Sequence, residues 1–576
     1  MSEPADPAAP AADAAEQLRR FTWTLGRAQQ LILEQWSAQA PGVASVGAKL
    51  AQDWMADWSA AMRAILSEPQ RLAEIQAHWW AQSLDLWNSF LAGDPVSPVE
   101  AEADRDKRFK GELWRTRPVF DLLRQSYLLT ARTVLEAAGG AHGMDEETRR
   151  RVLFQLRQLL DSMSPSNFAA LNPEVLVEAA RTGGESLLRG LEHMLADLEK
   201  GRLTMVDEAA FEVGRNIAAT PGRVVFETPL FQLIHYAPTT PTVREIPLLI
   251  FPPWINKFYI LDLTPEKSFV RWAVDQGLSV FMVSWRNPGP EFRDATLDTY
   301  VIDGLLRAID EVLALTQAPA THTIGYCVAG TMLAAALGYL HAAGGAHKVR
   351  SATFFTAQVD FTDPGELKLL VDDAQLELAK ALAAERGYFD GRYMAATFNA
   401  LRANDLIWSY VVNNYLMGRE YMAFDLLYWN SDATNVPAKW HAAYLADFYR
   451  DNRLVRGELA IGGVPVKLRA VRTPAYVQAG REDHIAPARS VLRMKDSWGG
   501  PLRFVLAGSG HIAGVVNPPS ANKYGYWLLE GPLPDTPEAF EAAATPHKGS
   551  WWPDWMAWLE PMSGADVPAR APADGI

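Results

Sequence analysis

The sequence predicts an α/β fold: a mostly parallel sheet flanked by helices and interrupted by a helical cap insertion, behind a mainly α-helical N-terminal domain. Three observations carry this. From about 16 to 200, apolar residues recur three and four apart, as in PVFDLLRQSYLLTARTVLEAA, with no strand-like alternation. From about 240, short apolar runs alternate with helical stretches. Between about 363 and 470 that alternation gives way to a long helical, aromatic stretch.

In chain order, residues 1–15 are Ala, Pro and acid and read as a disordered tail. The helical domain covers 16–205. Around Arg215–Pro238 the texture changes to short β-branched runs with Pro and Gly. The remainder, 206–576, holds the candidate strands Ile246–Phe251, Leu278–Ser284, Thr321–Tyr326, Ala352–Phe355, Pro474–Ala479 and Leu502–Leu506. Asp298–Leu315 and the Ala-rich run after Gly330 read as helices between them. The insertion at about 363–470 falls between two core strands and would cover the carboxyl ends of the sheet as a lid. The final stretch, SGADVPARAPADGI, reads as frayed.

Composition narrows the function. The chain has 576 residues, 49% hydrophobic and 21% charged, as expected of a packed protein with more than one domain. A formal net charge of −14 argues against holding nucleic-acid phosphates by charge. One cysteine excludes an internal disulfide and leaves thiolate metal clusters without ligands, so no metal is expected. No basic region leads into an apolar run at the start, and no apolar run approaches the ~20 residues of a membrane span. A cytoplasmic protein without a transmembrane segment is the expectation.

The one cysteine sits in Thr323-Ile324-Gly325-Tyr326-Cys327-Val328-Ala329-Gly330-Thr331. An apolar strand runs into Gly-x-Cys-x-small and then a helix of small residues. This is the nucleophile-elbow pattern of the α/β-hydrolase fold, with Cys in place of Ser. The turn is strained, and larger side chains beside it would meet the neighbouring strand and helix. A helix N-terminus behind the sulfur favours negative charge. Ala329 stands where the pattern has its second glycine.

In such folds the acid and then the histidine follow the nucleophile. His511 lies after the apolar run LRFVL in a glycine-bracketed loop, Gly508-Ser509-Gly510-His511. His484 is its rival. Asp483 follows the run TPAYVQA by a Gly-x-x-Asp placement, with Glu482, Asp360 and Asp363 as alternative acids. An oxyanion hole needs backbone N–H donors. Val328, directly after the nucleophile, is one. The loop Phe251-Pro252-Pro253-Trp254-Ile255-Asn256-Lys257 supplies the other, from Trp254 or Ile255, because its prolines have no N–H.

With these residues in hand, the chain resembles the class I polyhydroxyalkanoate synthases, the poly(3-hydroxyalkanoate) polymerases. The resemblance rests on PPWINKFYILDL (252–263), VSWRNP (283–288), GYCVAGT (325–331), YWNSDATNVP (428–437), AGREDHIAP (479–487), GSGHIAG (508–514) and GSWWPDWMAWL (549–559). Members commonly carry Gly where this chain has Ala329. The resemblance implies that Cys327 carries the growing chain as a thioester and that His511 deprotonates it. Asp483 would orient His511 or activate the 3-hydroxyl of the incoming substrate. It implies an (R)-3-hydroxyacyl-CoA substrate, short-chain by class, and polyester and CoA as products. It further implies no cofactor beyond the acyl-CoA substrate, a homodimer, and a place on the polymer granule with granule-associated proteins. Thioester exchange suits a thiolate, and a cap would keep water from the intermediate.

Two other readings compete. A hydrolase of the same fold, a thioesterase or polyester depolymerase, would share the triad and admit water. A granule-coating protein would have no working site. The tryptophans at 551, 552, 555 and 558 either pack a terminal helix or meet an apolar polymer surface, and His78-Trp79-Trp80 with Trp87 raise the same choice. Asp432, Thr434 and Asn435 read as turn residues or as a substrate entrance. No Walker-type phosphate loop is present, and substrate-binding residues, including those for the CoA phosphates, do not emerge from spacing.

Overall fold

A computed structural model describes residues 19–20, 22–24, 27, 41–93 and 106–572. The expected tail at 1–15 lies outside the described residues. The chain forms two compact units, one of Met1–Asp207 with Ala396–Met422, the other of Glu208–Ala395 with Ala423–Ile576.

The first unit is helical, and no strand occurs among its described residues. Its main helices are Pro41–Leu66, Pro69–Ala92, Pro118–Gly139, Glu146–Ser162, Pro173–Arg181 and Glu185–Lys200. Four start with proline, at a position whose N–H has no helical acceptor. Asp145 and Asn172 cap two by accepting backbone N–H groups. Residues 396–422 fall inside the stretch assigned to the cap, yet they pack with these helices. Tyr415 donates its hydroxyl to Asp197 at 2.6 Å, and Gln158 donates to the Ala400 carbonyl at 2.9 Å. Gly190 permits the approach: a Cβ there would lie 1.8 Å from the Tyr415 carbonyl oxygen.

The second unit holds a ten-stranded sheet. Its strands are β1 (Gly222–Glu227), β2 (Phe231–Tyr236), β3 (Leu248–Phe251), β4 (Val280–Trp285), β5 (Thr321–Tyr326), β6 (Val349–Phe355), β7 (Ala475–Gly480), β8 (Leu502–Ala507), β9 (Gly525–Leu528) and β10 (Thr545–Lys548). They lie in the order β1-β2-β4-β3-β5-β6-β7-β8-β9-β10. The six from β4 to β8 pair in parallel, and the hairpin at each end is antiparallel. Helices cover the parallel strands on both faces, so every residue of β3 and β5 is buried. This is the α/β fold that the sequence predicts.

One segment differs from expectation, and the C-terminal tryptophans follow the packing alternative. Asp566–Pro568, in the stretch read as frayed, pairs antiparallel with Thr242–Arg244, and Arg244 bonds Asp566 at 3.0 Å. Trp551, Trp552 and Trp555 are fully buried beneath the terminal helix Trp552–Leu559, so they pack the core and do not face a polymer.

Inside β5, His322 is fully buried. Its Nδ1 meets the Ser351 hydroxyl at 2.7 Å and its Nε2 the Ser563 hydroxyl at 3.2 Å. Burial, with a smaller effect of Arg350, pushes its pKa down to about 3. His235 and His441 are held down to about 4 by burial. Above pH 6.5 these rings are neutral folded or unfolded. Below it the unfolded chain takes up protons that the native state refuses, so stability falls with pH. At about 1.4 kcal/mol per pKa unit, His322 alone should cost about 2 kcal/mol on going from pH 7 to pH 5. Urea unfolding at the two pH values checks this, and His322→Asn should remove that share of the pH dependence.

Candidate active site

Cys327 stands between β5 and the helix Val328–Ala342 at φ 54° and ψ −125°, a left-handed conformation strained for a residue with a side chain. Its N–H donates to the Phe355 carbonyl at 2.9 Å, which ties the turn to β6. The sequence asks for small residues here, and the packing says which matter. A Cβ on Gly325 would lie 2.5 Å from the Gly330 Cα. One on Gly330 would lie 2.4 Å from the Ala357 Cβ and 2.7 Å from the Gly325 oxygen. The strand and helix therefore touch through Gly325 and Gly330, while Ala329 is accommodated, fully buried.

Asp483 and His511 come from loops after β7 and β8. The loops are laced together, Glu482 N–H donating to the Ser509 carbonyl at 3.0 Å. Asp483 Oδ1 accepts from the Ile485 and Ala486 N–H groups at 2.8 and 2.9 Å, which fixes the carboxylate. Its Oδ2 lies 2.7 Å from His511 Nδ1. With Nδ1 so engaged, Nε2 is the nitrogen left for proton exchange with Cys327, whose charge acts on the ring. Both Asp483 and His511 are buried. Burial alone would lower the His511 pKa. The Asp483 carboxylate and the charge of Cys327 outweigh it and raise the pKa to about 10. Of the alternative acids, Asp360 is bonded to Thr362 and Asn452, and Asp363 pairs with Arg489 at 2.6 Å.

Neighbouring groups hold the histidine loop. The Tyr326 hydroxyl donates to the His511 carbonyl at 2.9 Å. The Trp551 and Trp552 indoles donate to the carbonyls of Gly514 and Val515 at 2.8 and 2.9 Å. The C-terminal tryptophans thus brace the site from behind.

Val328 is the first residue of its helix, where an N–H has no intrahelical acceptor. Ile255 lies in the loop after β3. Its carbonyl accepts the Thr434 N–H at 3.0 Å, and the Trp254 carbonyl accepts the Thr434 hydroxyl. Asp432 accepts the Tyr259 hydroxyl at 2.7 Å, and Asn435 donates to the Pro288 carbonyl at 3.0 Å. Asp432, Thr434 and Asn435 therefore tie the 428–437 segment to the loops after β3 and β4.

Two residues joined to the elbow helix through Gln358 and Thr331 have no counterpart in the sequence reasoning. Tyr444 ends the helix Ala438–Tyr444, and Tyr449 follows one turn later. Both are buried, and their rings meet edge-on at 5.7 Å between centroids. Tyr449 also meets Gln358 Nε2 at 3.5 Å, and Gln358's carbonyl accepts the Thr331 hydroxyl at 2.7 Å. Burial first, then the charge of Cys327 among smaller effects, raises the pKa of both tyrosines, which keeps the hydroxyls protonated. The spacing of Trp440, Tyr444 and Phe448 marks one helical face but not its neighbour. Among the described residues no group of three or more His, Cys, Asp or Glu is placed to hold a metal. No described helix is long and apolar enough to cross a membrane.

This sheet, with a cysteine at its nucleophile elbow, defines an α/β-hydrolase-fold protein, and the model described as the alpha/beta hydrolase fold matches residues 232–518. A second family model, described as the poly-beta-hydroxybutyrate polymerase (PhaC) N-terminus, matches residues 105–273. A poly(3-hydroxyalkanoate) polymerase of Methylorubrum extorquens is 47% identical over 92% of this chain and 86% of its own. The poly(3-hydroxyalkanoate) polymerase subunit PhaC of Cupriavidus necator is 42% identical over 89% of this chain and 87% of its own. The chain belongs to the poly(3-hydroxyalkanoate) polymerase family.

Proposed function

We propose that this enzyme polymerises (R)-3-hydroxyacyl-CoA, with short-chain 3-hydroxybutyryl-CoA as the preferred substrate, into polyester with release of CoA. The observation that carries the reading is the Cys327–His511–Asp483 constellation at the elbow of a family member. In the first half-reaction the Cys327 sulfur, its proton already held on His511 Nε2, attacks the thioester carbonyl. A carbon–sulfur bond forms to Cys327 as the one to CoA breaks, and the CoA sulfur leaves with the His511 proton. The N–H groups of Val328 and Ile255 hold the intermediate oxyanion. In the second half-reaction a 3-hydroxyl attacks an acyl thioester, an oxygen–carbon bond replaces a carbon–sulfur bond, the hydroxyl proton passes to the departing sulfur, and the chain grows by one ester. A general base contributes about 10²–10⁴-fold to such a step. No cofactor is required by this chemistry.

The enzyme works as a homodimer on the surface of the polymer granule in the cytoplasm, beside granule-associated proteins. Trp80, Leu84, Trp87 and Leu91 support the granule contact: they recur along one face of Pro69–Ala92 and are each at least half exposed.

The test is incubation with (R)-3-hydroxybutyryl-CoA, with both products identified. CoA with insoluble polyester is the expected result. CoA with only free 3-hydroxybutyrate would make the protein a thioesterase. No CoA from this or longer substrates would leave a non-catalytic granule protein.

A further inference from the structure

Beside the elbow, five aromatic residues pack into a box. Trp254, from the loop after β3, stacks on Tyr300 at 4.6 Å between ring centroids and meets Trp285 edge-on at 5.2 Å. Across from it, Trp440 on the helix Ala438–Tyr444 meets Trp254 edge-on at 5.2 Å and stacks on Tyr444 at 4.9 Å. Tyr444 in turn meets Tyr449 edge-on at 5.7 Å, and Tyr449 is joined through Gln358 to Thr331 on the first turn of the helix behind Cys327. Thus the box runs from the nucleophile to a seam between a sheet loop and a cap helix.

The seam carries an anomaly. Buried indoles in this unit find acceptors: those of Trp285, Trp429, Trp498, Trp551, Trp552 and Trp555 donate at 2.7–3.0 Å. Trp254 and Trp440 are at most 2% exposed, and their Nε1–H groups have no acceptor among the described residues. A buried donor without an acceptor is costly, and buried Trp N–H groups ordinarily have partners. Two such donors on rings that touch, one of them in the loop after the strand that pairs with β5, call for a ligand that brings acceptors into an apolar setting.

We propose that the Trp254–Trp440 seam opens to hold the ester-bearing chain attached to Cys327, with the two indoles donating to its ester carbonyls. This rests on the polymerase reading. An aliphatic polyester fits on chemistry: it is neutral, apolar between its esters, and offers only acceptors, which is what two N–H donors in an aromatic box recognise. A CoA nucleotide, anionic and polar, does not fit. The unmatched donors also make the seam a place where the cap parts at reduced cost.

The test uses the full chain carrying Cys327→Ala, so that nothing turns over, and calorimetric binding of two probes. One is the methyl ester of the (R)-3-hydroxybutyrate trimer. The other is an alkyl methyl ester of equal length without internal esters. Trp254→Phe and Trp440→Phe keep an apolar ring and remove the donor. Each is expected to weaken the trimer about tenfold, the size of one hydrogen bond, and the alkyl probe less than twofold. Equal weakening of both probes would reduce the box to apolar packing and overturn the proposal. So would no weakening of either, or no binding to the parent protein. Near-ultraviolet circular dichroism identifies a misfolded variant, and the second tryptophan then decides. Turnover of hydroxyacyl-CoA by the wild type is read separately, so polyester formation alongside unaltered probe binding would sink this inference alone.

Discussion

Cys327→Ala is expected to lower CoA release from (R)-3-hydroxybutyryl-CoA by about 10⁴-fold or more, with the fold retained. Removal of a nucleophile has effects of this order when the other members of its unit cannot act without it. The elbow conformation of residue 327 is imposed by the Gly325–Gly330 contact and by the bond to Phe355, and alanine keeps both. The chain has one cysteine, so a thiol-directed alkylating agent labels one site, and its stoichiometry counts competent enzyme directly. Labelling should also report on His511. The imidazole keeps its proton, opposite the sulfur, until pH approaches about 10. Transfer of that proton to departing CoA should fail above that pH, so CoA release should decline there. CoA release by Cys327→Ala at wild-type rate, on chromatographically pure protein, would rule out the covalent route.

What the sequence made legible follows from which features have local causes. The parallel strands announce themselves because strands buried on both faces are continuous apolar runs, and Thr321–Tyr326 is read to the residue. The edge strands β9 and β10 are short and half exposed, with His547 and Lys548 at the second, so nothing separates them from loop. Asp566–Pro568 carries a proline, which argues against a strand. At the edge of a two-stranded pair its missing N–H costs nothing. The elbow is legible for the opposite reason, since a left-handed cysteine between packed elements dictates small neighbours at fixed offsets. Periodicity shows a helix but not what it packs on. Residues 396–422 therefore read as cap while Gly190 receives them in the helical unit. By the same logic Tyr444 and Tyr449 stayed hidden.

Asp483→Asn separates the two roles that the resemblance leaves to this carboxylate. If Asp483 orients His511, the asparagine amide favours the wrong tautomer, because an N–H donor facing Nδ1 puts the ring proton on Nε2, away from the task of accepting one. Loss of about 10⁴-fold then falls on the first CoA released and on every later one, as when the same exchange is made in a serine-protease triad. If Asp483 instead activates the 3-hydroxyl, the first CoA leaves at wild-type speed and only elongation stops. The geometry favours the first outcome. Asp483 is buried, with Oδ1 accepting from the Ile485 and Ala486 N–H groups and Oδ2 from His511, so a hydroxyl would have to reach a buried oxygen already shared with the histidine. We therefore expect a rapid-quench trace of Asp483→Asn without a CoA burst. A full burst of one CoA per site, followed by arrest, would move the base for elongation onto Asp483 and require its bond to His511 to break during each cycle.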